Sequence, residues 1–214
     1  MKVGIIGSGN VAQTLAKGFL SSGHNVKLGT RSPEKLGEWL SEVANENLSV
    51  GSNVEAAEFG ELLVLATGWE GTKNAIELAN AENFAGKVVI DVTNPLDFSA
   101  GPPPKLAVQY PESGGELVQK WLPDANVVKA FNTVSAHIMI HPHLQEGNPD
   151  LFIAGNDDQA KWVVTEIATE WGWENVHDLG DMTNAYWLET FAMLWIYFGF
   201  RNNHWTHAFK LLMK

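Results

Sequence analysis

The sequence predicts an α/β fold built on a doubly wound parallel sheet, and three observations predict it. A short apolar strand, Val3, Ile5 and Ile6, runs through a glycine-rich turn directly into a helical pattern. Short apolar runs then alternate with amphipathic stretches as far as Phe131, which is how right-handed strand–helix–strand units read. One of those runs, Leu62 to Ala66, is apolar at every position, as a strand covered by helices on both faces has to be.

Taken in order, the first helix covers about Asn10 to Ser22 with Val11, Leu15, Phe19 and Leu20 inward, and Gly23 ends it. Val26 and Leu28 mark a second strand. A helix starts near Pro33, with Leu36, Trp39, Leu40 and Val43 on its inner face. Leu48 to Val50 is a short third strand and Leu62 to Ala66 the fourth. A helix over about Glu70 to Asn80 and a fifth strand over Lys87 to Val92 follow. The Pro-, Gly- and Ser-rich stretch from Pro95 to Pro111 reads as a long loop over a site. A short helix at Gly114 to Leu122 and a sixth strand at Val127 to Phe131 complete a Rossmann-type domain, residues 1–135. Residues 136–214 are expected to form a small α/β extension on the substrate and dimer side. It holds strands near Leu151–Ala154 and Asn175–Leu179 and helices near Asp158–Trp171, Asn184–Phe198 and Trp205–Leu212.

Composition narrows the function. The net charge of −11 argues against nucleic-acid or anionic-membrane partners, which require clustered Lys and Arg. Without a single cysteine, thiolate catalysis, disulfides and Cys-ligated metals are excluded. The longest apolar run, Phe191 to Phe200, falls well short of the ~20 residues that span a bilayer. A required strand begins almost at Met1, so no signal peptide is expected and the cytoplasm is the expected location.

The turn after the first strand reads Gly7-Ser8-Gly9-Asn10-Val11-Ala12, with the G-x-G-x-x-A spacing of a dinucleotide site. Gly7 permits the tight turn, Gly9 lets a pyrophosphate approach the backbone, and Ala12 lets the helix pack close to the strand. The unpaired N–H groups and positive dipole end of the helix then face the phosphates. At the tip of the second strand an Asp or Glu reads the ribose of NAD. This chain instead has Thr30, Arg31 and Ser32 there, with Lys35 nearby, so a 2′-phosphate and NADP are expected. The other end of the cofactor is expected at the ends of strands four to six. These supply Thr67 and Gly68 (with Trp69 beside them), Thr93, Asn94 and Leu96, and Asn132 onward to Ala136.

Taken together, Gly7–Ala12, Thr30-Arg31, Lys35, Thr67-Gly68-Trp69-Glu70, Lys129-Ala130-Phe131-Asn132-Thr133 and Trp187-Leu188-Glu189-Thr190 resemble the coenzyme F420-dependent NADP oxidoreductase family. The cytosolic reductase domains of the six-transmembrane metalloreductases are similar too. The resemblance covers nearly the whole chain, and its most specific string is Lys129–Thr133. It implies hydride transfer between NADPH and a flat deazaflavin (coenzyme F420) or flavin acceptor. It also implies that Ser8, Gly9, Asn10 and Val11 hold the pyrophosphate, that Thr30, Arg31 and Lys35 hold the 2′-phosphate, and that Asn94, Leu96 and Ala136 lie near the nicotinamide. Ring-to-ring transfer needs alignment rather than acid–base chemistry, so no catalytic side chain is assigned. Tyr186 departs from the pattern: the deazaflavin enzymes carry a basic residue there, facing the coenzyme's acidic tail.

Two other functions suit the same cofactor site. One is an NADP-dependent reductase of a small carbonyl or imine, with His137 or Tyr186 as proton donor. The other is an NADP sensor without chemistry. His137, His141 and His143 suggest a metal, but Pro142 interrupts their spacing and none is assigned. The last long helix, with Trp187, Leu188, Phe191, Met193, Trp195, Ile196 and Phe198, is apolar around nearly its whole circumference. A homodimer interface is expected there, and the same rings would suit the wall of a cavity for a flat small-molecule acceptor.

Overall fold

The computed structural model describes residues 1–213. Ten strands and eight α-helices are present among them. In the first half they are β1 (Lys2–Ile6), α1 (Asn10–Ser21), β2 (Asn25–Gly29), α2 (Gly37–Val43), β3 (Leu48–Gly51), α3 (Asn53–Phe59), β4 (Leu62–Leu65), α4 (Trp69–Ala79) and β5 (Val88–Asp91). The second half adds β6 (Leu96–Asp97), β7 (Lys105–Leu106), α5 (Gly114–Trp121), β8 (Asn126–Lys129), α6 (Ala136–Met139), β9 (Leu151–Gly155), α7 (Asp158–Glu170), β10 (Val176–Asp178) and α8 (Ala185–Asn202).

Eight strands form one sheet in the order β10-β9-β8-β5-β4-β1-β2-β3. From β3 to β8 every pair is parallel, and the strand order reverses between β1 and β4. That gap is the switch point at which doubly wound sheets bind ligands. β9 runs antiparallel to β8, and β10 lies parallel to β9, so the last strands extend the same sheet. Side chains alternate between the two faces, as the pleat requires. Leu62 and Val64 join the core under α1 and α7, with Phe19, Phe131 and Trp171, while Leu63 and Leu65 join the opposite core under α3 and α4, with Ile76 and Phe84. Burial on both faces is why β4 is continuously apolar.

Several elements differ from the sequence expectation, the four-residue α6 among them, since no helix was expected there. α3 was not anticipated, although its start carries a capping box: the Ser52 hydroxyl accepts from Glu55 N–H and the Glu55 carboxylate accepts from Ser52 N–H. The loop from Pro95 contains a two-residue antiparallel pairing, β6 with β7. The expected helix from Trp205 to Leu212 is absent, and that segment runs irregularly along α8 and β9. Its polar groups are taken by other elements: Trp195 Nε1 donates to the His207 carbonyl, Asp150 N–H to the Phe209 carbonyl, and Leu211 N–H to the Asp150 carboxylate. These partners take three backbone groups that an i to i−4 ladder would otherwise use.

Candidate functional site

The carboxyl ends of β1, β2, β4 and β5 surround a cleft of about 780 Å³. Gly7 forms its floor. Its N–H donates to the Gly29 carbonyl at 2.9 Å, which ties β1 to β2, and its φ is +136°. A Cβ at Gly7 would lie 2.3 Å from the Ala66 carbonyl oxygen, so the turn is pressed between the ends of β2 and β4. Gly9 differs. It caps α1 with no side-chain hydrogen bond, and a Cβ there would meet no atom within 4 Å. The first-turn N–H groups of α1 therefore open onto the cleft without a side-chain cap, and Ser8, Asn10 and Val11 line it beside them. Gln13 steadies the turn by donating from Nε2 to the Ser8 carbonyl.

At the β2 end, Ser8 Oγ and Thr30 Oγ1 lie 3.1 Å apart, and Ser32 N–H donates to Thr30 Oγ1. Thr30 N–H donates to Gly51, so the tip of β2 is held on both sides. Arg31 lines the cleft, is exposed, and has no carboxylate partner among the described residues. Ser32 and Lys35 flank this tip without lining the cleft; Lys35 is exposed on the short helical turn Pro33–Leu36.

The far end is walled by Thr67, Gly68 and Trp69 from the β4–α4 turn and by Thr93, Asn94, Leu96 and Phe98 beyond β5. Thr67 Oγ1 pairs with Thr72 Oγ1 at 2.8 Å, and Trp69 stacks on Trp121. Asn94 is held by a reciprocal amide pair, its Nδ2 donating to the Asn132 carbonyl at 2.8 Å and its Oδ1 accepting from Asn132 Nδ2 at 3.0 Å. Asn132 sits behind Asn94 instead of lining the cleft, and its own Oδ1 is buried without a partner. This geometry depends on Phe131, a buried non-glycine residue at φ +59°, anchored between Trp171 and Trp173. Left-handed backbone at such a residue is retained where packing imposes it, and such sites cluster beside ligands. Ala136 packs into the core on the α1 side.

The cleft thus unites the glycine turn with Thr30, Arg31, Thr67, Gly68, Asn94 and Leu96. Asn53, Asn74 and Phe98 also line it and were not anticipated. Asn53 was legible only through the capping box, since it is the residue after the capping Ser52. Asn74 carries no local signal, and Phe98 comes from the stretch read as a loop over a site. The three histidines do not converge on the cleft: His137 and His141 are exposed, and His143 Nδ1 pairs with Asn148. The donor set fits a dinucleotide. It has an uncapped helix start above an open glycine for the pyrophosphate, an unpaired guanidinium where a ribose phosphate would lie, and amide and hydroxyl groups at the far end.

Residues 2–95 match the family model described as NADP oxidoreductase, coenzyme F420-dependent. The solved structure of a protein named as an F420-dependent NADP-reductase from Arthrobacter sp. FB24 superposes with a TM-score of 0.94 at 35% identity, covering 100% of both chains. The F420-dependent NADP reductase of Methanocaldococcus jannaschii is 28% identical over 92% of this chain and 91% of its own length. The metalloreductase STEAP3 of Rattus norvegicus is 32% identical over 86% of this chain but only 35% of its own length, so the chain spans about a third of that relative. No helix among the described residues is long and apolar enough to cross a membrane. The glycine turn, the switch-point cleft and a full-length match at 35% identity converge: the chain belongs to the coenzyme F420-dependent NADP oxidoreductase family.

Proposed function

We propose that the cleft holds NADPH lengthwise and that the enzyme moves hydride between it and a planar deazaflavin or flavin-like acceptor. In this reading Gly7 to Val11 carry the pyrophosphate, and Thr30 and Arg31 carry the 2′-phosphate, with Ser32 and Lys35 as neighbouring donors. Thr67, Gly68, Asn94 and Leu96 surround the nicotinamide, and Asn132 and Ala136 support them from behind. NADPH, when bound, supplies the hydride. The protein's part is to align the ring, through the Asn94–Asn132 amide pair and the β4–α4 turn, and to keep one ring face accessible.

The observation that carries this reading is the chemistry of the lining. Among the described residues no histidine, lysine or tyrosine lines the cleft, and its ionisable side chains are Arg31 and Glu70. Reduction of a carbonyl or imine calls for a positioned proton donor, whereas transfer between two rings does not. Tyr186, in edge contact with Tyr110 at 5.4 Å, stands where a basic residue would meet an anionic acceptor tail. A flavin-like acceptor with little negative charge suits that surface best.

We further propose that two copies pair through α8, which leaves Trp187, Leu194, Tyr197, Phe198 and Phe200 exposed. The activity test is anaerobic mixing of the chain and NADPH with F420, FMN, riboflavin or simple imines, followed at the nicotinamide absorbance band. Oxidation with a planar ring and none with imines is expected. Turnover with imines alone would refute the acceptor assignment.

A further inference from the structure

Behind the far end of the cleft lies a buried cluster of three charges that the cofactor contacts leave unused. Lys129, at the end of β8, donates from Nζ to Asp91 Oδ2 at 2.9 Å and to Glu189 Oε1 at 3.0 Å. The three side chains are 0%, 0% and 1% exposed. Glu189, in the second turn of α8, also accepts from the N–H groups of Gly114 and Gly115 at the start of α5, each at 2.9 Å. Asp91 uses its other oxygen to accept from the N–H and hydroxyl of Thr93. Burial disfavours the ammonium of Lys129, but Asp91 and Glu189 outweigh it and hold the group above its ordinary range. Two carboxylates therefore face one ammonium, and the start of α5 offsets only about half a unit of charge. A residual negative charge remains where solvent does not screen it.

The cluster is close to the cleft. Asp91 precedes Asn94 by three residues, a span of at most about 10 Å. On the other side, a Cβ at Gly114 would lie 2.9 Å from Glu189 Oε1 and 3.2 Å from the ring of Trp69, which lines the cleft. Oxidised nicotinamide carries one positive charge that the reduced ring lacks. That charge arises when the C4–H bond breaks and both electrons leave with the hydrogen for the acceptor ring.

We propose that Asp91, Lys129 and Glu189 form an electrostatic positioning element whose residual negative charge favours the oxidised, cationic nicotinamide and so biases the bound nucleotide toward hydride donation. This rests on the reading that places the nicotinamide beside Asn94. A unit charge removed at about 10 Å, through an effective dielectric near 20, alters the preference for NADP⁺ over NADPH on the order of tenfold.

The test measures Kd for NADP⁺ and for NADPH by titration calorimetry on the full chain, without turnover. Glu189→Gln keeps one oxygen for Lys129 and Gly115 while removing the charge. Its ratio of Kd(NADP⁺) to Kd(NADPH) is expected to rise about tenfold over that of the unmodified chain. Ser113→Ala removes the hydroxyl that accepts from Glu116 N–H at the start of α5 and leaves the charge untouched, so its ratio is expected to stay put. If Glu189→Gln fails to fold, Asp91→Asn removes the same unit charge from the other side of Lys129 and serves in its place. A ratio unchanged in the folded variant overturns the proposal, as does an equal shift in Ser113→Ala. If the unmodified chain binds neither nucleotide, the cofactor reading of the cleft falls instead.

Discussion

Gly7 and Gly9 stand two residues apart in one turn and respond oppositely to the same added methyl group. At Gly7 the backbone φ is +136°, and the new Cβ would lie 2.3 Å from the carbonyl oxygen and 2.8 Å from the carbonyl carbon of Ala66. Both obstacles are backbone, held by the β1–β4 pairing, so they do not swing aside as a side chain would. Positive φ at an alanine costs about 1–2 kcal/mol and overpacking of this kind about 1–3 kcal/mol, so Gly7→Ala is expected to lose roughly 3 kcal/mol. For a chain of this size that lowers Tm by about 6–12 °C. At Gly9 the φ is −75°, which alanine adopts freely, and no atom lies within 4 Å. Gly9→Ala is expected to change stability by less than about 1 kcal/mol. Its methyl group instead fills the space through which a pyrophosphate reaches the α1 N–H groups. Two charge-assisted hydrogen bonds lost there weaken NADPH binding by about 3 kcal/mol or more, roughly 100-fold. The assay is thermal melting with and without saturating NADPH, paired with calorimetric titration. The unmodified chain at 100 times Kd gains about 2.7 kcal/mol from the ligand, a gain Gly9→Ala forfeits at the same concentration. Normal NADPH affinity in Gly9→Ala, or a normal melt of Gly7→Ala, refutes the reasoning.

Three more outcomes test other parts of the structure. Arg31→Ala removes the unpaired guanidinium at the ribose end, so NADPH affinity is expected to fall about 10–100-fold while NADH binding barely changes; equal losses contradict the 2′-phosphate assignment. Burial pushes the Asp150 carboxyl up, but hydrogen bonds from Leu211 N–H, His177 and Asn175 outweigh it and hold it below the ordinary aspartate range. A carboxyl lowered in the folded state contributes stability above its unfolded value, near 3.9, and loses it as pH falls. The Tm gap between the unmodified chain and Asp150→Asn should therefore be widest near neutrality and shrink below about pH 4, with hydrogen exchange in residues 205–213 showing the same trend. Leu194→Glu places a charge in the middle of the exposed α8 stripe and is expected to halve the mass measured by light scattering without changing the melt of the isolated chain, whereas an unchanged mass excludes α8 as the pairing surface.

Much of the candidate site was written locally. A glycine turn between a strand and a helix specifies its own geometry, because only residues without a side chain tolerate the φ at Gly7 and leave the space at Gly9. Thr30 and Arg31 were legible because a parallel sheet ordered by right-handed crossovers puts the tip of β2 beside that turn. The continuous apolarity of β4 announced burial on both faces before any partner was known. These features depend on backbone sterics and on patterns a few residues long, which a sequence carries openly.

The rest depended on which distant groups meet. Lys129 reads as an ordinary charge at a strand end, yet it is fully buried because Asp91, 38 residues earlier, and Glu189 converge on it. Asn132 looked like a ligand contact and proved to brace Asn94, a relation created by the left-handed turn at Phe131. Residues Trp205 to Leu212 carry a helical pattern, but Asp150 and Trp195 take their backbone groups. Asn74 entered the cleft through packing alone. The sequence by itself determined the glycine turn, the parallel sheet and the cationic tip of β2, since each is encoded by short-range sterics and periodicity. Only the tertiary structure decided what stands behind the far end of the cleft, because the desolvation and pairing of charges are properties of three-dimensional neighbours and of no single stretch of chain.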